Sequence, residues 1–391
     1  MKNLYLNRVR RLFWYIVALM VRPFVKINDK RIFCWSYSAK KYACNPRALT
    51  EYILASKSNE YEIYWGFNKD VDTSMLDSRI HVVRRYSIKY LYALYSSKYV
   101  FYNSRNRIYD SMFIKKQGQK YIMTWHGPFA LKKIEKDALE QLPSNYEHIA
   151  IKDSEMCDLM LSNSTLFTKL IYESFWYNGE ILGKCSPRND VFYNESIKAH
   201  SYINVRNSLG LSIDSKIVLY APTFRGNRKD LECYQINWDK IIPYFEKMLG
   251  GNVKVLLRLH PNMSTIKDLS QITNYDNVYN VTQASDITEF LFAADVLISD
   301  YTSAMFDFAI LRKPCFIYAV DKDEYDRGFY WELEQLPFSV AESEKQLIEN
   351  ISLFSADSYI ESLDKFINEI WGLDEDGLAC ERLYNWMKKQ R

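Results

Sequence analysis

Two histidines have both the side chain and the position that acid–base chemistry needs. The chain holds five histidines in 391 residues, and His126 and His260 each end an apolar run that predicts a strand. A residue at the end of a strand projects from the edge of a sheet, where open α/β folds bind their ligands. Imidazole titrates near neutral pH and therefore suits proton transfer. One such residue in each half predicts a cleft between two halves, with a base on one wall.

Other polar side chains also follow predicted strands in the second half, where they favour an anion. Arg258 and His260 are two residues apart on one strand end, so they share a face and present two cations. The segment 299–303 joins a strand to a helix, where free N–H groups and hydroxyls favour a phosphate. Thr223 and Arg225 end a third strand. Taken alone, each of these three segments also has a purely structural interpretation, because Ser and Thr often only cap helices and Arg often forms structural ion pairs.

The elements that must position these residues alternate between strand and helix. Predicted strands lie at 31–37, 61–67, 98–102, 121–125 and 158–162, and then at 216–220, 253–259, 277–281, 295–299 and 314–319. Repeated strand–helix units imply parallel sheets with helices on both faces. We therefore expect an α/β protein with two Rossmann-like domains that face each other across a cleft, the GT-B architecture. The predicted domains are 29–200 and 201–391, with the last helix packing back on the first domain.

Composition narrows the function classes. The net charge of +3 does not indicate a nucleic-acid partner, and the many aromatic residues are spread through predicted core strands. Seven scattered cysteines without a C-x-x-C pair fit a reducing compartment and argue against structural zinc. The motifs of P-loop NTPases, dinucleotide dehydrogenases, zincins and α/β hydrolases are absent from the sequence. No cofactor or metal is predicted.

The first 28 residues read as a separate basic, aromatic helix. Residues 1–26 carry six Lys or Arg and no acid, around the apolar run 12–21. That run is too short to span a bilayer, which needs ~20 residues, and no small-residue cleavage site follows it. We expect an amphipathic helix that contacts a membrane surface. The alternative is a helix that packs only on its own domain.

The order of the motifs resembles one family. The matching segments are Thr124-Trp125-His126-Gly127, Leu131-Lys132-Lys133-Ile134, Ser162-Asn163-Ser164, Pro187-Arg188-Asn189-Asp190, Tyr220-Ala221-Pro222-Thr223-Phe224-Arg225, Arg258-Leu259-His260-Pro261 and Ser299-Asp300-Tyr301-Thr302-Ser303 with Phe306-Asp307. Over about residues 31–340 they resemble the CDP-glycerol glycerophosphotransferase family, the teichoic acid primases and polymerases.

The resemblance implies a phosphotransferase of the EC 2.7.8 type. Such an enzyme moves a polyol phosphate, glycerol phosphate above all, from a CDP-activated donor to a hydroxyl of a lipid-linked acceptor and releases CMP. It would work in teichoic acid or capsule synthesis as a peripheral protein at the cytoplasmic face of the membrane.

The resemblance also implies roles for individual residues. His126 would be the general base. His260, the second catalytic residue, would help to hold the pyrophosphate and stabilise the charge on the departing CMP. The expected donor and pyrophosphate ligands are Arg258, Asp300, Tyr301, Thr302, Ser303, Thr223 and Arg225. The expected acceptor or positioning residues are Trp125, Gly127, Lys132, Lys133, Arg188, Asp190 and Asp307.

Some departures from the family pattern leave the substrate open. The usual His-Gly-Thr-Pro reads His126-Gly127-Pro128-Phe129 here, and the Gly-x-Pro-Arg-Asn-Asp stretch carries extra residues after Gly183. The polyol, the acceptor, the oligomeric state and the choice between single addition and polymerisation stay open. The alternatives are a GT-B glycosyltransferase that uses a nucleotide sugar, including CMP-sialate, and a non-catalytic protein that binds lipid surfaces.

Overall fold

Two β-sheets organise the computed structural model, which describes residues 2–56, 60–127, 129–225, 232–259, 270–284, 286–322 and 328–390. The first sheet holds β1 Asn28–Trp35, β2 Glu62–Phe67, β3 Ile80–Arg84, β4 Ser97–Tyr102, β5 Lys120–Met123, β6 Leu159–Leu161 and β7 Glu180–Leu182. The second holds β8 Lys216–Tyr220, β9 Val253–Leu257, β10 Val278–Asn280, β11 Val296–Ser299, β12 Cys315–Tyr318 and β13 Ser339–Ala341.

Both sheets have the same kind of strand order. The first runs β3-β2-β1-β4-β5-β6-β7 and the second β10-β9-β8-β11-β12-β13, and the paired strands are parallel. The order reverses between β1 and β4 in the first sheet, and between β8 and β11 in the second. Crevices at such reversal points bind ligands in open α/β folds, at the carboxyl ends of the strands.

Helices cover the sheets. They are α1 Lys2–Val21, α2 Cys44–Ser56, α3 Ile88–Ser96, α4 Ile108–Ser111, α5 Tyr146–Met156, α6 Thr165–Ser174, α7 Glu195–Ser208, α8 Trp238–Leu249, α9 Ser270–Thr273, α10 Thr288–Ala293, α11 Ala304–Ile310, α12 Glu344–Ser352, α13 Ala356–Lys365 and α14 Ala379–Lys389. Several begin at a side-chain cap: Ser164 accepts from the Phe167 N–H and Asn237 from the Lys240 N–H. Central strands such as β4 are buried along almost their whole length, as parallel strands covered on both faces must be.

The described chain divides into two units. The first comprises Met1–Gly127, Ile134–Asp190 and Leu373–Arg391, and the second comprises Pro128–Lys133 and Val191–Gly372. The break after residue 190 lies ten residues before the boundary that the sequence suggested. Within the first unit, α14 packs against α2, and the Tyr99 hydroxyl donates to the Met387 carbonyl at 2.6 Å.

The segment that follows His126 lies in the second unit, although the sequence placed it in the first domain. Phe129 explains the difference, because its ring stacks on Phe306 at 4.1 Å between centroids and meets the Trp371 ring edge-on at 5.7 Å. Burial of this aromatic side chain holds residues 129–133 among the elements of the second unit.

Other differences from the predicted elements have local causes. The strand expected through residue 125 ends at Met123, and Trp125 has a left-handed backbone with φ of 51°. The strand expected through 259 ends at Leu257. Strands β3, β7 and β13 were not predicted; each has five residues or fewer and lies at the edge of a sheet, where the apolar signal is weakest.

Helix α1 uses one side to dock and leaves the other exposed. Arg11 pairs with Asp110 at 3.0 Å, and the Tyr15 ring packs on Tyr109 at 4.8 Å. The exposed large apolar side chains of this segment are Tyr5, Leu6, Val9, Leu12, Phe13, Ile16, Leu19 and Met20, followed by Phe24 just beyond the helix. Across the described ranges, no helix combines the length and the apolar character needed to cross a membrane.

Candidate active site

His126 lies just beyond the carboxyl end of β5 and is partly exposed. A hydrogen bond to the backbone sets the tautomer of its imidazole. Its Nδ1 lies 2.7 Å from the carbonyl oxygen of Asn103, the residue that follows the neighbouring strand β4. A carbonyl oxygen can only accept, so Nδ1 must carry the proton. The lone pair is therefore on Nε2, and His126 is arranged as a base.

The surroundings of His126 favour the neutral imidazole. Burial lowers the pKa of His126 below its usual value, the hydrogen bond to Asn103 opposes this shift, and the nearby Arg188 cation adds to it. A base must be unprotonated to accept a proton, so a lowered pKa keeps His126 competent at neutral pH.

Several hydrogen bonds fix the backbone on both sides of His126. Asn45 donates through Nδ2 to the carbonyls of Thr124 at 3.0 Å and Trp125 at 3.2 Å. The Asn45 Oδ1 accepts from the Arg188 N–H at 3.0 Å, and Arg188 Nη1 donates to the His126 carbonyl at 3.1 Å. Arg188, one of the expected acceptor or positioning residues, thus contacts the backbone of His126. Trp125, another of them, directly precedes it in the chain. Gly127, which follows, is partly exposed.

Asp190 lies in the same unit but has a structural contact. Its two carboxylate oxygens accept from the backbone N–H groups of Ala379 at 2.9 Å and Cys380 at 2.8 Å, which open α14. Burial raises the pKa of Asp190, and these hydrogen bonds oppose that shift. The carboxylate that the sequence assigned to substrate positioning therefore caps the last helix.

In the second unit, five residues at or near the ends of strands are linked by hydrogen bonds and ion pairs. We call this set the Arg225 frame: Thr223, Arg225, Asp300, Tyr301 and Asp321. Asp300 accepts from the Thr223 N–H at 2.9 Å and from the Thr223 hydroxyl at 2.6 Å. It also pairs with Arg225 Nη1 at 2.7 Å. These contacts join the carboxyl ends of β8 and β11, at the point where the strand order reverses.

Asp321 completes the Arg225 frame. It binds Arg225 through two contacts, Nε to Oδ2 at 2.7 Å and Nη2 to Oδ1 at 3.0 Å, and it accepts from the Tyr301 hydroxyl at 3.1 Å. The Arg225 and Asp300 side chains are only 4% and 1% exposed. Among the described residues, one cation thus faces two carboxylates, so these five side chains carry no surplus positive charge of their own. Through these contacts Arg225 and Asp300, which were expected as donor ligands, stabilise the ends of two strands.

Three of the expected donor ligands remain at or near the surface. Arg258 is half-buried; its Nη1 donates to the Val281 carbonyl at 3.2 Å, and burial lowers its pKa. Thr302 is partly exposed, and its hydroxyl also accepts from the Ala304 N–H at 3.3 Å. Ser303 is exposed at the N-terminus of α11.

The remaining predicted residues are spread out. Lys132 forms an antiparallel bridge with Phe329, and the Lys133 N–H donates to the Gly328 carbonyl at 2.8 Å, both within the second unit. Asp307 is buried inside α11. His260 lies outside the described residues. Asn103 and Asn45 were missed, although Asn103 also directly follows a predicted strand and the same edge argument would have found it.

Comparisons with known proteins agree on one family. The family model described as CDP-Glycerol:Poly(glycerophosphate) glycerophosphotransferase matches residues 16–389. A teichoic acid poly(glycerol phosphate) polymerase of Bacillus spizizenii is 28% identical over 95% of this chain and 94% of its own length. A teichoic acid glycerol-phosphate transferase of Staphylococcus aureus is 28% identical over 96% of this chain and 98% of its own. The match to the Bacillus subtilis polymerase spans 51% of that longer protein.

Solved structures give the same result. The wall teichoic acid polymerase TagF superposes with a TM-score of 0.80 and 28% identity, over 99% of this chain and 95% of that chain. A histidine variant of that polymerase soaked with CDPG matches with a TM-score of 0.80 and 27% identity, over 100% and 95% of the two chains. A sucrose-phosphate synthase from Thermosynechococcus elongatus, at 13% identity and a TM-score of 0.50 over 92% and 98%, shares the fold alone. The architecture is therefore GT-B-like, as the sequence predicted.

Proposed function

The chain belongs to the CDP-glycerol:poly(glycerophosphate) glycerophosphotransferase family and is a glycerophosphotransferase that uses CDP-glycerol, and on that premise we propose that His126 is the base that activates the acceptor. The observation that carries the proposal is the contact between His126 Nδ1 and the Asn103 carbonyl at 2.7 Å. It leaves Nε2 as the basic atom at the carboxyl end of a central strand.

The proposed step is a displacement at the phosphorus that carries glycerol. The acceptor oxygen forms a bond to this phosphorus while its proton passes to His126 Nε2. The bond between the phosphorus and the bridging oxygen breaks, and CMP leaves with that oxygen and its negative charge. Such a transfer depends on positioning and on neutralising charge more than on covalent chemistry by the protein.

The second unit supplies the donor site in this proposal. Thr302, Ser303 and Arg258 are expected donor-site residues with exposed or partly exposed surface, and the sequence adds His260 to them. The Arg225 frame joins the end of β11, from which Thr302 and Ser303 extend, to the end of β8. In this proposal Arg258 and His260 neutralise the charge that develops on the anionic leaving group.

The acceptor in this proposal is the hydroxyl end of a lipid-linked polyol or glycan. The test measures CMP release from CDP-glycerol, with CDP-ribitol and nucleotide sugars in parallel, with and without a lipid-linked glycerol phosphate acceptor. We expect release from CDP-glycerol that depends on the acceptor. Turnover of a nucleotide sugar with none of CDP-glycerol would contradict the proposal and favour a glycosyltransferase.

Helix α1 fits a membrane surface as the place where such an acceptor is met, and we extend the proposal to it. At 100° per residue, Tyr5, Val9, Leu12, Ile16 and Met20 fall on one face, and each is more than 40% exposed. Arg11 docks the opposite side on Asp110. An apolar face beside basic residues, on a helix too polar to span, is typical of in-plane binding to anionic membranes.

Vesicle sedimentation tests this extension. Leu12→Glu and Ile16→Glu place charges on the exposed face, and we expect them to lower binding to vesicles that contain anionic phospholipid. Ile203→Glu changes an exposed apolar residue on α7, 47% exposed, and is the matched control. Equal binding by all three variants and the parent chain would exclude α1 as the contact.

A further inference from the structure

One side chain closes the point where the strand order of the first sheet reverses. Asn103, which follows β4, accepts the backbone N–H of Tyr37, which follows β1, through Oδ1 at 2.9 Å. The second sheet has the same arrangement, since Asp300 after β11 accepts the backbone N–H of Thr223 after β8. Parallel sheets bind ligands at this reversal point. In the second unit this reversal point falls within the expected donor site. In the first unit the reversal point between β1 and β4 has no assigned ligand.

The chain that Asn103 holds is strained. Tyr37, Ser38 and Ala39 have φ values of 46°, 57° and 64°, three consecutive residues with side chains in the left-handed region. Such backbone persists where the surrounding structure enforces it, and it is concentrated at ligand sites. The Asn103 side chain is fully buried, and in the described part of the chain its Nδ2 finds no acceptor. A buried donor without a partner also costs stability.

The same asparagine contacts the proposed base. Its carbonyl accepts the Nδ1–H of His126, while its side chain holds the Tyr37 turn. The partly exposed Tyr37 ring meets the His126 imidazole edge-on, with centroids 5.8 Å apart and an interplanar angle of 67°. Asn103 therefore fixes the imidazole and the aromatic wall beside it with respect to each other.

We propose that Tyr37 contacts the terminal polyol of the acceptor next to His126, and that Asn103 is the positioning residue that holds Tyr37 there. The proposal rests on the proposed function and names the acceptor side of its site. The ring supplies a flat apolar surface for the carbon chain of a glycerol unit, whose hydroxyl is then within reach of a neighbouring base. The chemical class of the ligand is a polyol phosphate with a free terminal hydroxyl.

Steady-state kinetics on Tyr37→Leu tests the contact. We expect the KM for a soluble glycerol phosphate acceptor to rise by about 3- to 10-fold, the range typical of one aromatic contact, with the KM for CDP-glycerol unchanged. Tyr172→Leu is the matched control, because Tyr172 is a 49% exposed tyrosine on α6 of the same unit. It should leave both KM values unchanged.

Asn103 is tested through its dependence on Tyr37. Asn103→Leu removes the acceptor for the Tyr37 N–H, and we expect the KM for the acceptor to rise at least as much as in Tyr37→Leu. Asn103→Asp retains an oxygen that accepts from this N–H, so it should restore much of the acceptor KM. In the double variant Asn103→Leu/Tyr37→Leu the two effects should not add, because one residue acts through the other.

The outcomes separate this inference from the proposed function. If the parent chain releases CMP in the presence of acceptor but Tyr37→Leu retains the parental KM for the acceptor, the contact is excluded. Additive effects of the two substitutions, or a change confined to the KM for CDP-glycerol, would exclude the positioning role. Absence of any turnover of CDP-glycerol by the parent chain would instead contradict the proposed function itself.

Discussion

Replacement of Arg225 by Met tests whether the buried ion network stabilises the second unit or binds the donor. Arg225 is 4% exposed and faces Asp300 and Asp321, whose side chains are 1% and 8% exposed. Removal of one partner from a buried pair leaves an uncompensated charge and costs ~3–5 kcal/mol. Arg225→Met leaves two carboxylates, so we expect the free energy of unfolding to fall by at least ~3 kcal/mol at neutral pH.

The loss should depend on pH in a defined direction. Burial pushes the pKa of Asp321 up, but the hydrogen bonds and charge of Arg225 outweigh this and lower it. Because its folded-state pKa lies below the unfolded value, Asp321 contributes stability that is present above the unfolded pKa and lost as pH falls through the folded one. Without Arg225 this contribution disappears, so parent and variant should differ most near neutral pH and converge as the carboxylates become protonated.

Chemical denaturation at about pH 7.5 and at about pH 3, below the ordinary pKa of an aspartate, measures both effects. Arg312→Met is the control, because the Arg312–Asp364 pair of the same unit is 49% and 39% exposed, and such pairs contribute about 0–1 kcal/mol. A loss below ~1 kcal/mol for Arg225→Met, together with a raised KM for CDP-glycerol, would refute the reasoning and restore Arg225 as a donor ligand.

The remaining predictions concern the first unit. Because the pKa of His126 is lowered, kcat/KM should hold its plateau at neutral pH and fall only in acid. Arg188→Gln removes a nearby cation that lowers this pKa, so the acid limb should move to higher pH. A pH–rate profile in which Arg188→Gln shifts the limb downward would contradict this assignment. Asp190→Ala removes both acceptors at the start of α14 and should lower the free energy of unfolding by ~1–2 kcal/mol, measured by denaturation; a loss of a few tenths would show that the cap contributes little.

The sequence predicted the features that depend on local pattern. The alternating apolar runs gave the central strands and the two Rossmann-like sheets, and the position after a strand placed His126 at a sheet edge. Each of these depends on residues that are close together in the chain.

What the sequence missed depends on partners that are far apart in the chain. Asp300 reaches Thr223 across 77 positions, and Asp190 reaches Ala379 across 189. Neither pairing leaves a mark on spacing or periodicity, and the family resemblance implied a substrate-binding or positioning role for both aspartates. Lys132 likewise belongs to the second unit because Phe129 is buried there. A strand–helix pattern does not predict such packing.

The most direct measurement compares His126→Gln with His148→Gln in a transfer assay from CDP-glycerol, with donor binding measured calorimetrically on both. His148 is an exposed histidine on α5 of the same unit and is the matched control. A general base contributes about 10²- to 10⁴-fold, so His126→Gln should bind CDP-glycerol like the parent chain and lose at least about 100-fold in kcat, while His148→Gln keeps both. Parental kcat in His126→Gln would contradict the assignment of His126 as the base.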